Sequence, residues 1–224
     1  MKKITAIILG TVVATSAVFA QSNVLSRNAV GYIKVPLASN SLYLVSNPFV
    51  PLDPSADIAT NVFAALPNSA SVSIWDEVSQ GYVSISKNAR GLWSANGTTR
   101  ISRADAMFVR MPGTTSTLYF MGEVPDRFTA PTTTQSRAAG ISMLGYPYPV
   151  ETAFTGTPMA INLPLSSSIS VWDSAANTYI SYSKNARGLW NAEALTATVK
   201  PGQGFVIRTT GAGSWNTAKS YTWP

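Results

Sequence analysis

The chain has 224 residues, with 16 Lys and Arg against 10 Asp and Glu, and contains neither His nor Cys. Those two absences exclude Ser-His-Asp hydrolysis, histidine general bases, thiolate chemistry and metal sites built on His or Cys. The net charge of +6 is modest and its cations are scattered, which argues against a nucleic-acid surface.

Residues 1–20 read as a secretory signal peptide. Lys2 and Lys3 precede an apolar run from Ile4 to Val18, and Val18-Phe19-Ala20 forms a cleavage signature ahead of Gln21. The run is shorter than the ~20 residues of a membrane-spanning helix, and no later stretch is apolar enough to span a bilayer. The expected product is exported by the general secretory route to the cell surface or extracellular space, with the periplasm as the alternative. Without the two leader cations its net charge is 14 − 10 = +4.

After the arm Gln21–Arg27, strands are expected at Val30–Val35 and Leu42–Ser46. Asp53-Pro54-Ser55 then offers a cap for a short helix over Ala56–Leu66, where Ile58, Val62, Phe63 and Leu66 fall at helical spacing. Val72 and Ile74, then Val83 and Ile85, alternate with polar residues on either side of a short polar gap, the pattern of a hairpin with one buried face. Strands are further expected at Ala106–Met111 and Thr117–Met121. A Thr-rich joining stretch over Phe128–Ser136 follows, then strands at Ile141–Leu144, Gly204–Arg208 and Ser220–Trp223.

The chain repeats itself. Ser71–Ala95 aligns without a gap on Ser168–Ala192, 97 residues on, with 15 of 25 positions identical. The copied hairpin turns Ile180 and Tyr182 inward. The same offset lays Phe108-Val109 on Phe205-Val206, and an offset of 99 lays Asn47-Pro48-Phe49 on Tyr146-Pro147-Tyr148. A period of this length is that of a small domain. The expected fold is therefore all-β and mostly antiparallel: two tandem β-sandwich or partly open barrel modules related by internal duplication, with one short helix in each. The expected divisions are the leader at 1–20, a first module at 21–127 and a second at 128–224. Periodicity leaves open whether the modules are separate domains or one pseudo-twofold body.

Little remains for catalysis. The one acidic pair shared by the copies is Asp76 and Asp173, each after a Trp and each suited to opening a hairpin turn. A glycosidase needs two facing carboxylates, and calcium needs a cluster of oxygen ligands. No enzyme activity, cofactor or metal is expected. The most specific motif is Lys-Asn-Ala-Arg-Gly-Leu-Trp, identical at Lys87–Trp93 and Lys184–Trp190. Two readings apply to it. Lys87, Arg90, Trp93 and Lys184, Arg187, Trp190 would bind a polysaccharide, the indoles stacking on sugar rings and the cations meeting sulfate or carboxylate. Alternatively, the tryptophans cover the core edge and the cations solvate a turn. Trp75 and Trp172 read as core or rim.

Ser26-Arg27-Asn28-Ala29-Val30-Gly31-Tyr32 resembles the N-terminal "VNAVGYV" signature of exported β-repeat proteins from the planctomycete and verrucomicrobial lineages. The similarity extends to Leu44–Pro48, Tyr119–Pro125, Ser214-Trp215 and Pro201–Val206, which is like that group's "PGEGFF". The first copy departs from it at Ala106-Met107-Phe108, which lacks the Pro-Gly. The resemblance implies the architecture and brings no catalytic residue.

Two functions are expected from this reading. The first is a non-catalytic surface or extracellular-matrix protein that assembles with itself or other surface proteins, its Gln21–Arg27 arm pairing with a neighbour's sheet edge. The second is a carbohydrate-binding protein acting through the repeated Lys/Arg/Trp loops on extracellular polysaccharide.

Overall fold

A computed structural model describes residues 29–53, 55–126 and 130–221. The leader, residues 21–28, Pro54 and Trp223 lie outside the described residues.

The first half contains β1 (Val30–Leu37), β2 (Leu42–Ser46), α1 (Ala59–Val62), β3 (Ser71–Asp76), β4 (Gly81–Ser86), β5 (Ala106–Arg110) and β6 (Ser116–Glu123). The second contains β7 (Thr132–Arg137), β8 (Gly140–Gly145), β9 (Thr152–Ala153), α2 (Pro158–Asn162), β10 (Ser168–Asp173), β11 (Thr178–Ser183), α3 (Ala192–Thr196), β12 (Thr198–Val199), β13 (Gly204–Thr209) and β14 (Gly213–Ala218). Among the described residues every strand pairing is antiparallel. Each half has a two-stranded ribbon, β1–β6 or β7–β14. Each also has a four-stranded sheet, ordered β2-β5-β3-β4 in one and β8-β13-β10-β11 in the other. The expected mostly antiparallel β fold with two similar halves is thus observed.

Each ribbon lies over one face of its own sheet. In the first half the enclosed core joins Leu37, Leu118 and Phe120 of the ribbon to Val72, Ile85, Met107 and Val109 of the sheet, with Phe63 and Leu66 closing one side. The second core is built in the same way around Tyr148, Phe154, Ile169, Phe205 and Trp215. The opposite faces of the two sheets meet each other through Leu44, Ala106, Phe108 and Met143, with Trp75, Trp172 and Val206 packed against them. The layers therefore run ribbon, sheet, sheet, ribbon. Ala106–Val109 of β5 is buried at four consecutive positions because it has a core on each face.

This junction answers the question the periodicity left open, since the halves form one pseudo-twofold body. Trp75 Nε1 donates to the Ile141 carbonyl at 2.7 Å and Trp172 Nε1 donates to the Leu42 carbonyl at 2.7 Å. Ser46 N donates to Gly202 O at 2.9 Å, and its counterpart Gly145 N donates to Ala104 O at 2.7 Å. Gly145 is required here, because a Cβ on it would lie 1.9 Å from Ser46 Oγ.

Several expectations need correction. The helix is only Ala59–Val62, starting from Ile58 without a side-chain cap. Asp53 Oδ1 instead accepts from Ser55 N and Oγ, closing a local turn, although Phe63 and Leu66 are buried as the helical spacing required. The second half has two short helices rather than one. The joining stretch is largely β7, a Thr-rich strand whose period-two pattern buries Gln135 and Arg137 instead of apolar residues. The last described strand is Gly213–Ala218, and Ser220 and Tyr221 are not strand. Ile180 is 39% exposed on edge strand β11, while Tyr182 is buried as expected.

The alignment of Phe108 with Phe205 is also one residue out. Val72 pairs with Val109 and its copy Ile169 pairs with Ile207, so Phe108 matches Val206 and Met107 matches Phe205. A one-residue slip reverses the face each side chain takes. Phe108 accordingly lies between the sheets, and Phe205 lies in the second half's own core.

Candidate functional site

The repeated heptapeptide forms the same loop twice. Asn88 N donates to Leu92 O at 2.8 Å, while Asn88 Oδ1 accepts from Arg90 N and Leu92 N at 2.9 and 3.0 Å. Asn185 does the same with Arg187 and Leu189. Gly91 and Gly188 both sit at φ +81°, the left-handed region that glycine enters without strain.

The loop's cations divide into two kinds. Lys87 Nζ donates to Ala64 O and Leu66 O at 3.1 and 2.8 Å and lies 5.5 Å from the Trp93 ring centre. Lys184 Nζ donates to Ala160 O, Ile161 O and Leu163 O at 3.3, 3.1 and 2.8 Å and lies 5.7 Å from Trp190. Each ammonium thus meets carbonyls at the C-terminal end of the preceding helical turn, where unpaired acceptors collect. Trp93 and Trp190 pack against the two cores, and Trp190 meets Phe154 edge-on. Arg90 and Arg187 are exposed beside Leu92 and Leu189, which are each 63% exposed. The structure thus brings Lys and Trp together as internal supports and leaves the arginines at the loop tips.

The residues after each loop cover a sheet edge. Ser94 N donates to Ser86 O, and Asn96 Nδ2 donates to Ser84 O, along the outer side of β4. Asn191 N and Nδ2 bond Ser183 O and Ser181 O in the same way on β11. Open edges invite pairing with another chain, and these two are blunted by their own chain. Asp76 and Asp173 open the hairpin turns as expected. Asp76 accepts from Ser79 Oγ and Val78 N, which hold its carboxyl below the usual range, and Asp173 accepts from Ala175 N and Ala176 N.

The edge of β1 is different. Val124 N donates to Ala29 O at 2.7 Å, so Gly31, Ile33 and Val35 direct their main-chain groups toward β6 by alternation. Val30, Tyr32 and Lys34 direct theirs away, and among the described residues no partner meets them. On the ribbon's outer face Val30, Tyr32, Tyr119 and Met121 are 62%, 69%, 43% and 63% exposed. The matching ribbon instead shows solvent Thr132, Thr134, Ser136, Ser214 and Asn216, a polar surface.

Beside the open edge lies a cleft of about 500 Å³ between the halves, lined by Tyr32, Ile33 and Phe49 on one side and Val150, Pro201 and Tyr221 on the other. Sequence reasoning did not find it. Its lining differs between the copies and joins residues of both halves, so the identical motifs carry no signal for it. Comparison with protein-family models and with curated proteins finds no match. Among the described residues no helix is long and apolar enough to cross a membrane.

Proposed function

We propose that this is an exported, non-catalytic assembly protein of the bacterial surface or extracellular matrix, and that the β1–β6 ribbon is where it meets its neighbours. The observation carrying this reading is the open β1 edge at Val30, Tyr32 and Lys34, backed by an apolar outer face that the duplicated ribbon lacks. An unpaired edge supplies a hydrogen-bonding template, and apolar side chains beside it supply a surface worth removing from water. The blunted edges of β4 and β11 and the polar outer face of the matching ribbon favour association at the β1–β6 ribbon. The leader at residues 1–20 and the resemblance to exported β-repeat proteins support the compartment.

Carbohydrate binding through Lys87, Arg90, Trp93, Lys184, Arg187 and Trp190 receives less support. The lysines spend their donors on carbonyls and the indoles pack on the cores. Analytical ultracentrifugation of the mature protein over a wide concentration range tests the assembly reading. Concentration-dependent association that Tyr32→Glu with Met121→Glu abolishes is expected; a strictly monomeric wild type would overturn it.

A further inference from the structure

The duplication supplies a control for the cleft beside β1. Reciprocal bridges across the pseudo-twofold axis, Val45 with Gln203 and Asp105 with Leu144, place Arg103 at the position of Pro201. The hydrogen-bonded pairs of the two ribbons, Ala29 with Val124 and Pro131 with Lys219, place Thr133 at the position of Gly31. The NPF and YPY triplets place Tyr148 at Phe49. In the second copy this site is filled. Arg103 reaches across from the first half, donates to Pro147 O at 2.8 Å and to Thr133 Oγ1, and lies 5.5 Å from the Tyr148 ring centre. In the first copy Pro201 replaces that arginine, Gly31 replaces the threonine and Phe49 the tyrosine. What remains is an apolar cleft of about 500 Å³ with an unpaired strand edge along it.

We infer that this cleft is the acceptor for the Gln21–Arg27 segment of a second copy of the chain, which adds as a strand to β1 with Val24 and Leu25 against the cleft and the outer face. The inference rests on the assembly reading above and specifies its contact. An unpaired edge calls for an extended main chain, and apolar walls call for apolar side chains on it. Residues 21–28, ahead of the first described residue, reach roughly 26 Å when extended, against roughly 13 Å for the three open positions Val30, Tyr32 and Lys34. Seating the same chain's segment would require reversal immediately before β1. A two-residue reversal at Arg27-Asn28 places at least Arg27 at positive φ without a glycine, and a four-residue one draws Leu25 into the turn. A second copy has neither cost. One donor segment and one acceptor cleft per copy make a head-to-tail contact, which propagates into a filament unless it closes into a ring.

The test uses two variants of the mature chain, each checked by its thermal melt. Pro201→Arg rebuilds the filled site of the other copy and blocks the acceptor; Val24→Asp with Leu25→Asp disables the donor. Each alone should weaken association at least about ten-fold, and mixing the two should restore a one-to-one complex, because one retains the segment and the other the cleft. The chain has no native cysteine, so Val24→Cys with Val150→Cys should form intermolecular disulfides, seen as a ladder on a non-reducing gel. Wild-type association that neither variant weakens would overturn the cleft while leaving the ribbon's outer face as the contact. A purely intramolecular disulfide would overturn the second copy as donor. A monomeric wild type would overturn the assembly reading itself.

Discussion

Replacing Asp105 with Asn should stabilise the protein at neutral pH and do nothing in acid. Asp105 is partly buried at the junction between the halves, where its main chain bridges to Leu144, and its Oδ2 accepts from Ser102 N at 2.8 Å. Burial, and secondarily the negative charge of Glu77, push its carboxyl up from 3.8 to about 6. The pseudo-twofold mate is Gln203, a neutral side chain whose Oε1 accepts from Lys200 N at 3.0 Å, so the fold already carries an uncharged amide at this position. A folded-state pKa above the unfolded one means the native state binds the proton more tightly. The ionised carboxylate therefore costs nothing below about pH 4, costs progressively more as pH rises toward about 6, and reaches a constant deficit above it. A shift of about two units corresponds to about 3 kcal/mol as an upper bound, and partial exposure brings the expected gain for Asp105→Asn to about 1–3 kcal/mol near neutral pH. In a chain of this size that is a rise of several degrees in Tm. Urea unfolding of both proteins at about pH 4 and about pH 7.5 measures it. Equal differences at the two pH values, or a less stable variant at neutral pH, would refute the reasoning.

Three further outcomes are expected. Trp172→Phe leaves the Leu42 carbonyl without its 2.7 Å donor between the sheets and should cost about 1–2 kcal/mol. Adding Trp75→Phe should cost a further similar amount, with both halves still unfolding in one transition followed by circular dichroism. Gly145→Ala places a methyl 1.9 Å from Ser46 Oγ and 2.2 Å from Ser46 Cβ. It should destabilise by several kcal/mol, and Ser46→Gly in the same chain should recover part of the loss, as read from denaturant midpoints. Lys184→Met removes three carbonyl contacts and should cost about 1.5–3 kcal/mol, whereas Arg187→Ala at the exposed loop tip should stay within about 0.5 kcal/mol of wild type. A thermal melt separates the two, and equal losses would remove the distinction drawn between the loop's cations.

Much of the local structure was legible because it is written at short range. Leu42–Ser46 matches its expected bounds, since a short apolar run of Leu, Tyr, Leu and Val ended by Asn-Pro leaves few alternatives. The hairpins opened by Asp76 and Asp173 and the glycine turns of the heptapeptide were equally readable. The β7 strand was hidden, because a row of threonines looks the same in a linker and in a ribbon whose inner face buries Gln135 and Arg137. The first of these donates to Gly145 O and the second to Thr209 Oγ1. The helix was overextended because apolar spacing records which residues reach the core and not whether a regular helix carries them there.

The amino-acid order alone determined the duplication, the β character of both copies and the identity of the paired loops, since each depends on neighbours within a few residues or on direct self-comparison. Only the tertiary structure decided that Phe108 faces the other half while Phe205 faces its own core, because a one-residue slip in a gapless alignment is invisible until strands are paired. It also decided that Lys87 and Lys184 are tied to helix-end carbonyls more than twenty residues away in sequence. Above all it decided that Arg103 fills one member of a duplicated site while Pro201 leaves the other open. That difference arises where residues from opposite halves meet across a pseudo-twofold axis, and a comparison of each copy with itself contains no record of it.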